Sequence, residues 1–247
     1  MKTWIFGNSH MGALNKGLRR IGAQGHDLTL FPLGPGTVEM VPFSRLEAGR
    51  GGVADETCAR NLRRFTGRDH LDPEARWGVC MGTHNARLCR DPFWIDAEPA
   101  AICAPGKRPV PETTVDAIIE TDQRHVRDLL ARMKQAGLAV FVVSCPPVRP
   151  ASGGRAAEIR AEVAAWLEAR ARAAFTGFLA AQKIAFVAPP EGTRDAAGFL
   201  SPQFHATLTD QGTRDPHHAN PEYGEMMMRK VLAHLDAAAS DGEGAVA

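Results

Sequence analysis

Short unbroken apolar runs alternate along this chain with longer stretches in which apolar residues recur every three or four positions. Thr3-Trp-Ile-Phe6 is the first run, and its aromatic and β-branched members predict a buried strand. From Met11 the spacing changes to Met11, Leu14, Leu18 and Ile21, which predicts a helix. Further strands are predicted over residues 27–31, 75–81, 138–143 and 184–187. The 138–143 run is the clearest, being wholly apolar, as in a strand covered on both faces. Long helices are predicted from 111 to about 134, where Gly137 ends the pattern, and over roughly 155–182. A last helix is predicted from 221 to about 238. Strands alternating with helices in this way predict an α/β fold of three α/β/α layers. Its flavodoxin-like, five-stranded parallel sheet has the order 2-1-3-4-5.

The remaining stretches are less regular. Within 37–72, Gly49-Arg-Gly-Gly52 reads as a flexible break and 56–65 as a short helix. Arg60, Arg63, Arg64 and Arg68 form a basic cluster there, read as a solvated helix face in preference to a site for an anionic substrate group. Residues 91–111 make too long a connection to be ordinary, and a lid or rim beside a site is expected. The stretch 189–214 is polar and irregular. One domain is expected over 1–238, with a small, acidic, disordered tail at 239–247.

The composition narrows the function classes. With 247 residues, 44% of them hydrophobic, the chain can bury one good-sized core. Its 29 basic and 28 acidic residues nearly cancel, which argues against a nucleic-acid partner, as does an aromatic content of 6%. No run approaches the roughly 20 apolar residues of a membrane span, and no secretory signal precedes the first strand. Five cysteines without C-x-x-C spacing include two, Cys80 and Cys145, in apolar runs as buried thiols. A cytoplasmic location is the expectation.

Candidate chemistry lies near both ends. Gly7-Asn8-Ser9-His10 joins the first strand to the first helix, so Ser9 stands at the positive end of a helix, where backbone N–H groups can stabilise an oxyanion. A serine there could equally be a helix N-cap. Asp215-Pro-His-His218, before the last helix, sets a carboxylate and an imidazole three residues apart. A serine hydroxyl needs a base to take its proton, and the imidazole needs a carboxylate to fix its tautomer. In these two segments the chain resembles the SGNH (GDSL-like) hydrolase family. Asn8 and His10 stand where that family often has Asp and Leu.

The resemblance implies Ser9 as nucleophile, His218 as base and Asp215 as its partner, in a cofactor-free esterase. His217 is read as a rim residue or a second substrate contact. It also implies an oxyanion-hole glycine after the second strand, for which Gly34 and Gly36 are both candidates. The family's Gly-x-Asn block falls on Gly82-Thr-His-Asn85, where the third position is His84 and the asparagine comes one later. Asn85 is the favoured amide donor and His84 the alternative; Asn85 could also be only an N-cap.

The expected substrate is a short-acyl or O-acetyl ester, such as an acetylated carbohydrate, and an acyltransferase on the same site is the alternative. Two other readings stand beside it. Asp215, His217 and His218, with His205 and Asp210, could bind a metal, although no H-E-x-x-H spacing is present. A domain that kept the fold without the chemistry is the other.

Overall fold

The structure is a computed structural model describing residues 1–47, 49–208, 212–213 and 215–243. Its main sheet consists of β1 (Thr3–Gly7), β2 (Leu28–Pro32), β3 (Arg76–Cys80), β4 (Ala139–Val143) and β5 (Ala185–Val187). The strand order is β2-β1-β3-β4-β5 and every pairing is parallel, as predicted. The helices that connect and close the sheet are α1 (Met11–Ile21), α2 (Glu56–Thr66), α3 (Glu112–Gln135), α4 (Ala161–Ala181) and α5 (Pro221–Glu243). Among the described residues no helix is long and apolar enough to cross a membrane.

The pleat sorts each strand's side chains between two helical layers. Trp4, Phe6, Trp77, Val79 and Val142 face α2, α3 and α4, against Leu62, Leu130 and Phe175. Ile5, Phe141 and Val143 face the opposite layer, against Leu14 of α1 and Met227 and Val231 of α5. Each fully buried side chain of this size contributes about 1.5–3 kcal/mol. Gly78 leaves room in the middle of β3: a Cβ there would lie 2.8 Å from Cζ of Phe141.

The closest helix approach in the second layer brings together the two ends of the chain. A Cβ on Gly17 of α1 would overlap the Gly224 backbone of α5, and one on Gly224 would overlap the Ala13 carbonyl. Only hydrogen at both positions lets the helices pack at this distance. Because α1 begins just after Ser9 and α5 just after His218, this crossing sets the spacing between the two turns.

Several irregular stretches differ from expectation. The glycine-rich 49–52 segment is no flexible break, since Arg50–Val53 pairs with Ser44–Glu47 as an antiparallel hairpin, tied down by Leu71 N–H donating to Gly51 O. The 91–111 segment holds a short helix (Phe93–Asp96) and a parallel strand pair, Ala97–Pro99 with Arg108–Val110. Trp94 and Ile95 are buried there against α3 and α4 residues, so most of it is anchored, while Asp91 and Pro92 reach the site. The last helix continues to Glu243, which corrects the expected tail at 239–243; residues 244–247 lie outside the described residues. Arg60, Arg63, Arg64 and Arg68 belong to α2 and its end, and none of them lines the cavities at Ser9.

Candidate active site

Three turns at the carboxyl edge of the sheet build the site. The turn after β1 exposes Ser9 and is shaped by Asn8, whose Oδ1 accepts from His10 N–H at 3.0 Å. Asn8 Nδ2 donates to Glu39 Oε1 at 2.7 Å, and Glu39 Oε2 accepts from Gly82 N–H at 3.2 Å. Glu39 thereby ties the turn after β1 to the turn after β3. Burial raises its pKa, against the lowering effect of these two hydrogen bonds. Gly82 itself has φ +80°, a conformation that favours glycine.

The third turn is Asp215–His218. Asp215 Oδ1 accepts from the backbone N–H groups of His217 at 3.0 Å and His218 at 2.8 Å. Its Oδ2 lies 2.9 Å from His218 Nδ1, and His218 Nε2 lies 2.8 Å from Ser9 Oγ. Burial acts to raise the Asp215 pKa, but the two backbone N–H bonds and His218 outweigh it and hold the carboxyl below its usual range. An ionised Asp215 places a proton on His218 Nδ1 and leaves the Nε2 lone pair facing the serine hydroxyl. Two arginines hold this loop by its carbonyls. Arg149 Nη1 donates to Ala206, Asp215 and His218 oxygens at 3.1, 3.0 and 3.2 Å. Arg90 Nη2 donates to Arg149 O at 2.9 Å and Pro216 O at 3.4 Å.

Ser9 stands on the wall between two cavities. One, of about 710 Å³, is bounded by Lys16, Gln203, His205, Leu208 and His218. The other, of about 580 Å³, is bounded by His10, Gly36, Glu39, His84, Arg90 and His217. Gly36 has open space where a Cβ would be, whereas Gly34 is buried 3.0 Å from Cys58 Sγ by the same construction and lines neither cavity.

Asn85, the favoured amide, and His84, its alternative, have different surroundings. Asn85 is 1% exposed, lines neither cavity, and donates from Nδ2 to Glu168 Oε2 at 2.7 Å. That amide belongs to a buried network: Glu168 Oε1 accepts from Arg172, and Arg172 Nη1 donates to Ser144 Oγ at 2.7 Å. His84 does reach the cavity wall, 3.9 Å from the His10 ring by centroids. Its Nδ1 is buried without a hydrogen-bond partner. Burial first, then His217, Arg90 and Arg172, push its pKa down to about 3. Burial and the neighbouring His218 likewise push His217 down to about 4.

For a metal, the described residues bring together Asp215, His217 and His218, with ligand atoms within 4.8 Å of one another. Asp215 Oδ1 is already shared by two N–H donors, and an ion would compete with the His218 contact. His205 is turned elsewhere, with Nε2 at 2.8 Å from Leu200 O, and Asp210 lies outside the described residues.

Asn8, His10, Glu39, Arg90 and the Glu168–Arg172 pair carry weight at this site that the sequence reading did not assign. The one local signal was charge on a buried helix: Glu168 and Arg172 stand at i and i+4, each next to the apolar series Val163, Leu167, Ala171 and Phe175.

No family model and no curated protein matches the sequence. Among solved structures, a GDSL-like lipase from Bacteroides thetaiotaomicron superposes with a TM-score of 0.52 at 13% identity, covering 96% of this chain and 88% of that one. A lipase/acylhydrolase from Enterococcus faecalis gives 0.44 at 12% identity, covering 96% and 97%. The periplasmic domain of a lipopolysaccharide acetyltransferase from Salmonella ser. Paratyphi A gives 0.46 at 11% identity, covering 95% and 83%. The chain has the three-layer α/β/α fold of the SGNH (GDSL-like) hydrolases and resembles that family along nearly its whole length.

Proposed function

We propose that the protein is a serine-dependent ester hydrolase. The observation that carries this reading is the continuous line from Asp215 through both His218 nitrogens to Ser9 Oγ, with contacts of 2.9 and 2.8 Å. In it, His218 Nε2 takes the hydroxyl proton as Ser9 Oγ attacks the ester carbonyl, and Asp215 stabilises the resulting imidazolium. The imidazolium then protonates the departing alcohol. Water, deprotonated by the same nitrogen, releases the acid from Ser9.

The tetrahedral oxyanion falls to the Ser9 and Gly36 N–H groups. A third donor is not supported. The Asn85 amide serves Glu168, and no hydrogen bond to a described residue fixes which His84 nitrogen carries its proton. The polar wall of Lys16, Gln203 and Asn220 suits a hydroxyl-rich alcohol such as an O-acetylated carbohydrate. A second reading, acyl transfer, draws support from the two cavities that flank Ser9, because an acyl donor and an acceptor need separate room.

Profiling of acyl esters and acetylated carbohydrates tests the proposal. Activity lost in Ser9→Ala, and an organophosphonate adduct on Ser9, are the expected results. Turnover by Ser9→Ala at the native rate defeats it. Ester formation with an added alcohol, in preference to hydrolysis, selects the transferase.

A further inference from the structure

The smaller cavity beside Ser9 is lined by a cation that no carboxylate among the described residues pairs with. Two arginines line it, and they differ in their partners. Arg87 is neutralised by Asp122, 2.7 Å from its Nη2. Arg90 has no carboxylate within ion-pair distance among the described residues, and its Nη2 is spent on uncharged carbonyls. Its Nε is buried without a hydrogen-bond partner. Arg90 is half-buried, and a buried guanidinium N–H left unused is costly unless an acceptor answers it, best of all an anion.

The other groups around the cavity do not supply that anion. His10, His84 and His217 are held neutral, chiefly by burial, and the field of Arg90 contributes to this at His84 and His217. Both Glu39 oxygens are taken up, Oε1 by Asn8 Nδ2 and Oε2 by Gly82 N–H. Asp91 is turned to its own loop, with Oδ1 accepting from Phe93 N–H at 2.9 Å.

We propose that this cavity binds an anionic group, a carboxylate or a phosphate, on the substrate whose ester Ser9 attacks, with Arg90 as its counter-ion. The inference rests on the hydrolase reading for its catalytic consequence and on the Arg90 geometry for the binding itself. Arg90 acts here as a specificity determinant. It replaces the α2 basic cluster as the cation that an anionic substrate meets.

The test compares 4-acetoxybenzoate with 4-acetoxybenzamide, which differ in charge and scarcely in shape. The expected result is that Arg90→Met lowers the ratio of their kcat/KM values by about 10- to 100-fold, the weight of one hydrogen bond to a charged group. Arg90→Lys should recover part of that ratio. An unchanged ratio, with both substrates falling together, overturns the proposal and leaves Arg90 as a brace for the 215–218 loop.

Binding without turnover separates this from failure of the hydrolase reading. In Ser9→Ala protein at pH 7, 4-hydroxybenzoate should shift the NMR signals of the His84 and His217 imidazoles, and Arg90→Met should abolish the change. Arg90 also walls two cavities on the side of Ala151 and Ala156. Binding that leaves both histidines unmoved places the anion there and overturns the proposal, as does no binding at all.

Discussion

Gly17 and Gly224 meet backbone to backbone where α1 crosses α5, so the helix that follows Ser9 and the helix that follows His218 pack as one unit. Neither glycine is near the reacting atoms, yet the 2.8 Å contact between Nε2 and Oγ depends on how closely these helices approach.

Gly224→Ala is therefore expected to harm the site from a distance. Its Cβ meets backbone at Ala13, which cannot swing aside as a side chain would. Overpacking of this kind costs about 1–3 kcal/mol or more. Urea unfolding should show that loss, and organophosphonate labelling of Ser9 should slow with it. A variant with native labelling rate and stability contradicts this account of the crossing.

Substitutions in the proposed triad should separate by role. Ser9→Ala and His218→Ala are each expected to remove esterase turnover. Asp215→Asn should lower kcat by about 10²- to 10⁴-fold, because the imidazole loses the acceptor that fixes its tautomer. Steady-state kinetics on a soluble acetyl ester measure all three. Equal activity in Asp215→Asn and the native protein would remove the carboxylate from the mechanism.

The oxyanion donors make a sharper contrast. Gly36→Pro deletes one N–H, and the site tolerates the ring: Pro35 before it is extended, at φ −66° and ψ 160°, and nothing lies within 4 Å of the new Cβ. Turnover should fall about 10²- to 10³-fold with the melting temperature little changed. Asn85→Ala should do the reverse. It leaves a buried Glu168 oxygen without its donor, a cost of about 1–3 kcal/mol in stability, with kcat near native in the folded fraction. Melting curves and kcat, taken together on both variants, decide between them.

Stability should decline on mild acidification. His10 is 2% exposed, and burial, then its histidine neighbours, hold its pKa well below 6.5. The unfolded chain protonates this ring as pH falls through about 6.5, while the folded chain does not. Stability is thus lost below that pH, at about 1.4 kcal/mol per pH unit for His10 alone, until the folded value is reached. His217 and His84 add the same sign down to about 4 and about 3. Asp215, held low, adds to the loss at still more acid pH. Glu39, held high, opposes them as one group against several. Urea midpoints should drop between pH 7 and pH 5, and His10→Phe should flatten that profile. A flat native profile would mean that the rings are already charged.

What could be read from the sequence follows from the range of each signal. The five strands announced themselves through local apolar runs, and Asp215 and His218 through a spacing of three. The engagement of Asn85 was illegible because the amide's partner, Glu168, is 83 positions away on α4. Nothing near Asn85 tells which acceptor will claim it. The same holds for Gly34, whose neighbour Cys58 lies on α2, and for Arg50–Val53, where two glycines read as a break and only the hairpin partner makes a strand. Arg90 was invisible for a different reason: an arginine becomes notable only once no carboxylate is found beside it.

Ser9 and His218 are 209 positions apart, and the second of them waits on α5. On the ribosome, a nascent chain that has emerged as far as β5 already owns the hydroxyl and the Gly36 amide, but no base to draw off the proton. On the proposed mechanism, hydrolysis cannot begin until the last helix has been made and has docked on the first. Partly made chains would then be chemically silent toward esters around them, and the onset of turnover would serve as a clock for completion of the fold.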